Sequence, residues 1–148
     1  MPDIRHRVGI AAPISTVYDA VATRKGVATW WTRDIDGESR PGGTMAFRFG
    51  QPEPAAVMEV TELSSPTRVQ WRCAEGPDEW KDTTLTFELK ENGEETALLF
   101  THGGWREPGE FLHHCSTKWA YFLLGLKAGF EGGEATPWPN DMPIDSWG

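Results

Sequence analysis

Cysteine is scarce in this chain. Cys73 and Cys115 are the only two in 148 residues, too few for a disulfide framework or a four-thiolate zinc site. Both are expected to be reduced and partly buried. No apolar run reaches the ~18 residues of a membrane span, and Met1-Pro2-Asp3-Ile4-Arg5-His6-Arg7 lacks the apolar core of a secretory signal. The expected location is the cytoplasm. Basic residues are outnumbered, 14 Lys and Arg against 22 Asp and Glu, for a net charge of -8. That balance excludes the basic face that nucleic acid rewards and disfavours an anionic membrane surface. Also missing are a nucleophile elbow, a P-loop, a dinucleotide fingerprint, HExxH and CxxC. Gly42-Gly43 and Gly103-Gly104 therefore read as turn glycines. With no internal repeat, residues 1–148 read as one domain with an irregular tail over 134–148.

Tryptophan is what the chain has in excess: eight, against two tyrosines. An indole is large, and its N–H wants a partner when buried. Several of these rings must line a core or a cavity. Their neighbours show period-two patterning. Ile4, His6, Val8 and Ile10 share one face, followed by Met45, Phe47 and Phe49 in Thr44 to Phe49. Strands are then expected over Ala55 to Leu63 and over Arg68 to Cys73, the latter with Val69, Trp71 and Cys73 together. Leu85, Phe87 and Leu89 mark Thr83 to Lys90, and Leu98, Phe100 and His102 mark Thr96 to His102. Asn92-Gly93 is a hairpin turn. Arg48 and Arg72 fall on the outer face. Between the first strand and the rest, Pro13 opens a helix to about Ala22, and a second short one follows over about Arg24 to Trp31.

Strands with one apolar face need a cover. The last stretch, Pro108 to about Glu131, supplies it. Phe111, Cys115, Trp119, Phe122, Leu126 and Phe130 recur at helical spacing, and Gly132-Gly133 is a C-terminal cap. Gly125 and Gly129 suggest close approach to the sheet or a slight bend. The fold class is α+β: a curved antiparallel sheet wrapped around a long C-terminal helix, with two short helices after the first strand.

That order, with a six-strand meander before the long helix, resembles the START-like, helix-grip superfamily also called SRPBCC. Within it the chain is similar to the bacterial branch named for activators of a heat-shock chaperone's ATPase. The residues that carry the resemblance are Ala11-Ala12-Pro13 through Val17 and Ala20, Trp30-Trp31, Leu85 to Leu89, and Leu98 to Trp105. Trp119, Leu123, Leu126-Lys127, Glu131-Gly132-Gly133 and Pro137-Trp138-Pro139 complete it. It implies a cavity between sheet and helix, in a family that includes binding proteins, cyclases and chaperone regulators.

The candidate ligand-binding set is Trp30, Phe47, Phe49, Trp71, Cys73, His102, Cys115, Trp119 and Phe122. Its aromatic members would form a greasy wall, the alternative being a solid core. His102, inward at a strand end, is the candidate proton-transfer residue, since imidazole titrates near neutrality; the alternative is a structural His held by hydrogen bonds. His113 and His114 point about 100° apart on a helix, so no metal site is assigned, and one or both are expected to edge the cavity. Asp34, Asp36 and Glu38 read as a solvated loop cluster. The expected function is binding of a hydrophobic small molecule, with no cofactor. A cyclase- or hydrolase-like enzyme and a chaperone-regulating module are the alternatives, and a homodimer is possible.

Overall fold

A computed structural model describes residues 1–148. The alternating segments become β1 (Ile4–Ile10), β3 (Thr44–Arg48), β4 (Ala56–Ser64), β5 (Arg68–Glu75), β6 (Thr84–Asn92) and β7 (Glu95–Gly103). With β2 (Asp34–Gly37) they form one antiparallel sheet in the order β1-β7-β6-β5-β4-β3-β2. Helices α1 (Ile14–Ala22) and α2 (Arg24–Val27) follow β1, and α3 (Glu110–Phe130) follows β7. Register shifts between β4 and β5, at Val57/Met58 and Val60/Glu62, add bends to the curved sheet.

Two expectations are corrected. Asp34 and Asp36 belong to β2, not to a loop. The strand has poor β propensity, but Arg48 on the paired strand β3 bridges Asp36 and Asp34, and half-buried Ile35 packs on the core. Helix α2 ends at Val27 rather than Trp31. Both the amide and the hydroxyl of Thr29 donate to Gly26 O, at 3.0 and 2.6 Å, which tightens the chain into a turn.

Arg48 and Arg72 lie on the outer face as expected. Arg72 pairs with Glu59 and Asp82 at 3.2 and 2.7 Å. The inner face is a packed aromatic interior. Trp30, Phe47, Trp71, Phe87 and Phe100 are sealed from solvent. Trp71 meets Phe87 edge-on at 5.1 Å and Phe47 at 5.7 Å. Trp30 donates its indole N–H to Ala20 O at 2.8 Å. Helix α3 closes over this face with Cys115, Trp119, Phe122, Leu123 and Leu126 buried.

After Gly132, whose φ of +86° supplies the left-handed cap, the chain returns along α3. Gly125 and Gly129 face this return at Ala135, not the sheet; a Cβ at Gly125 would meet Ala135 at an ordinary 3.6 Å. The tail is then fastened at three points. Trp138 N donates to Trp31 O and Arg33 N to Trp138 O, at 3.0 and 3.2 Å. Tyr121 Oη accepts from Met142 N at 3.0 Å. Lys118 Nζ reaches Asp141 at 2.8 Å and the main-chain oxygens of Met142 and Gly148 at 2.8 and 2.7 Å.

The Lys118–Asp141 pair is only 15% and 14% exposed. Removing one member of a shielded pair leaves the other charge unmatched. Lys118→Met should therefore cost about 2–3 kcal/mol. Hydrogen exchange should show protection lost at Met142 and the amides after it, with β5 and β6 unchanged. Protection retained across 140–148 would show that the ammonium does not hold the tail.

Candidate functional site

Strand β7 turns Leu98, Phe100 and His102 inward, and His102 is 0% exposed. Trp119 Nε1 donates to its Nδ1 at 3.2 Å. The ring proton therefore sits on Nε2, which donates to Thr83 Oγ1 at 2.9 Å. Thr83 Oγ1 in turn donates a hydrogen bond to Trp80 O. Burial pushes the His102 pKa down to about 3, and the distant Asp3 carboxylate offsets only part of this. The imidazole is neutral, doubly bonded and closed to solvent. It holds Trp119 and the start of β6 in place.

The open space lies to one side of this interior, at the mouth between α3, the β5–β6 connection and the tail. It is a cavity of about 350 Å³. Helix α3 contributes Phe111, His114, Cys115, Lys118, Trp119 and Phe122. Trp31 and Phe49 come from the chain around β2 and β3, and Ala55 and Ala56 from the start of β4. Pro77 and Trp80 come from the β5–β6 connection, and Trp138, Asp141, Trp147 and Gly148 from the tail. Trp119 stands between two other indoles, tilted against Trp31 at 4.9 Å and stacked with Trp80 at 6.0 Å.

Of the nine candidate residues, Phe49, Cys115, Trp119 and Phe122 meet at this cavity. Trp30, Phe47, Trp71, Cys73 and His102 do not reach it and are packed into the interior. Trp30 and Trp31 sit in the tight turn after α2, where successive side chains point well apart. This is why Trp30 is sealed while its neighbour Trp31 lines the wall. His114 edges the cavity and His113 is exposed. Trp31, Trp80, Trp138, Trp147, Lys118 and Asp141 went unrecognised as wall residues. For Lys118 the signal was a cation beside the apolar stripe at 115, 119 and 122; for Trp80, a large aromatic in an otherwise polar connection.

The cavity is poor in ionised nucleophiles. Burial raises the Cys115 pKa to about 12, the Trp80 indole countering part of this, and that of Cys73 to about 11. Neither is a thiolate near neutrality. No group of three or more His, Cys, Asp or Glu side chains converges as a metal site would need. No helix is long and apolar enough to cross a membrane.

The family model described as Activator of Hsp90 ATPase homolog 1-like protein matches residues 11–131. The tail that completes the cavity lies outside that match. The solution structure of the Aha1 dimer from Colwellia psychrerythraea is 40% identical, with 90% of this chain and 98% of that one covered at a TM-score of 0.81. The solution structure of protein BH1534 from Bacillus halodurans is 25% identical, covering 83% and 91% of the two chains at a TM-score of 0.66. The solution structure of CalU16 from Micromonospora echinospora is 20% identical, covering 97% and 75% at a TM-score of 0.78, and shares the fold. Among curated proteins none matches.

Proposed function

The chain belongs to the Activator of Hsp90 ATPase homolog 1-like family, and from that premise we propose that it binds an apolar small molecule in the cavity under its tail. The observation that carries this reading is the wall itself: five indoles around about 350 Å³ of space beside an otherwise filled interior. That volume lies at the small end of ligand pockets, which run from about 300 to 1,000 Å³. It suits a ligand of two or three rings or a short chain. Ligands larger than this would need the tail to lift from Lys118 and Tyr121. The cyclase- or hydrolase-like alternative loses its named residue, because both His102 nitrogens are occupied and the ring does not reach the cavity. We also infer a homodimer, supported by the dimeric relative from Colwellia psychrerythraea.

Ala55 offers a way to block the space without touching the core. It precedes β4, its amide donates to Phe47 O at 2.8 Å, and it lines the cavity as an exposed residue at the rim. Protein isolated from its own host should carry a retained small molecule in native mass spectrometry. Naphthalene added to emptied protein should quench tryptophan fluorescence saturably, and Ala55→Trp should weaken that binding at least tenfold, a loss of about 1.4 kcal/mol, with an unchanged melt. Equal binding by the blocked variant would place the ligand elsewhere.

A further inference from the structure

His114 is an acceptor of the cavity wall that the fold orients through one ring nitrogen while leaving the other unbonded. Its Nδ1 lies 2.8 Å from Asp145 Oδ2, and Asp145 Oδ1 is fixed by Trp147 N at 2.8 Å. A carboxylate on Nδ1 selects the tautomer with the proton there and the lone pair on Nε2. Nε2 makes no hydrogen bond to the protein, and the ring lines the cavity. The orientation is further set by Phe111, stacked on the imidazole at 5.9 Å and 12°, and by Trp147, edge-on at 5.6 Å.

The cation of the wall is spent. The three Lys118 protons go to Asp141, Met142 O and Gly148 O. The Trp80 N–H is buried without a partner, and as a donor it cannot accept from a ligand hydroxyl. The site thus has no uncommitted cation with which to hold an anion. What it offers is aromatic faces and edges, which favour flat rings, and one fixed acceptor. We propose that His114, held by Asp145, accepts a hydrogen bond from the hydroxyl of a bound aromatic molecule, so that the cavity selects phenol- and naphthol-type ligands over equally apolar ones. The inference rests on the cavity being a binding site, and it names the ligand class.

The test compares 2-naphthol with 2-methoxynaphthalene, which has the same rings and no proton to donate. Titration calorimetry on the wild-type protein should give about a tenfold preference for the naphthol, as expected for one well-placed hydrogen bond in a dry site. His114→Phe should abolish the preference, read as the ratio of the two affinities measured on the same variant, whatever the new ring does to each affinity alone. Asp145→Asn keeps an acceptor for Trp147 N but loses the charge that fixes the tautomer; it should shrink the preference severalfold with 2-methoxynaphthalene binding unchanged. This second variant carries the test if His114→Phe does not fold. Equal binding of the two probes by wild type would overturn the inference and leave the cavity reading standing, as would a preference that survives His114→Phe. Binding of neither probe would remove the cavity reading itself.

Discussion

Trp119→Ala should unfold this protein more readily than any other single truncation on α3. The indole is 2% exposed and contacts three layers at once: Phe100 on β7 at 4.8 Å, Trp31 at 4.9 Å and Trp80 at 6.0 Å. Truncating a buried large aromatic costs about 3–5 kcal/mol through lost transfer energy and the void left behind. Here a second cost adds to it. Trp119 Nε1 is the only donor to His102 Nδ1, so removing it strands a buried acceptor, worth about 1–3 kcal/mol more. The loss should fall at or above the upper end of the first range in a denaturant melt. Trp119→Phe separates the two parts. It keeps most of the ring and drops the N–H, and should lose about 1–3 kcal/mol. A loss below about 1 kcal/mol for the alanine variant would mean that α3 does not grip the sheet through this residue.

What the sequence made legible follows from how each element gets its stability. Strands β3 to β7 are held by one apolar face, and alternation such as Val69, Trp71, Cys73 prints that face directly. Each of these three side chains is 0% exposed. The α3 stripe is equally explicit. Strand β2 is held differently, by Arg48 reaching across to two aspartates, and a cross-strand ion pair leaves no period in a four-residue segment. The cavity was half legible for a related reason. Periodicity tells which residues face inward but not how deep they sit, so Trp71 and Phe47 looked equivalent to Phe49 and Trp119. Depth is decided by the tail, whose position depends on Lys118, Tyr121 and Trp138 meeting partners far away in the chain. An irregular segment held by scattered polar contacts has no pattern to read.

The second large effect concerns acid. His102 shows how a residue chosen for chemistry can instead set a stability limit. Its folded pKa lies near 3 against an ordinary value of 6.5, because burial disfavours the imidazolium. Between those values the unfolded chain binds a proton that the native protein refuses, so stability rises with pH across this window. The contribution is fully present above 6.5 and is lost as pH falls toward 3. At about 1.4 kcal/mol for each pH interval of one, the span is worth on the order of 5 kcal/mol. Urea melts at a series of pH values from neutrality to about 4 should show wild type losing stability with this extra slope. His102→Gln is the informative comparison. Its amide can still accept from Trp119 Nε1 and donate to Thr83 Oγ1, yet it cannot titrate. The variant should be weaker than wild type at neutral pH, because its geometry is poorer, and its stability should fall less steeply with acid. The gap between the two should narrow as pH falls below 6. Parallel slopes would mean that His102 takes up its proton in the folded protein as readily as in the unfolded chain, and that Trp119, His102 and Thr83 do not form a fixed neutral network.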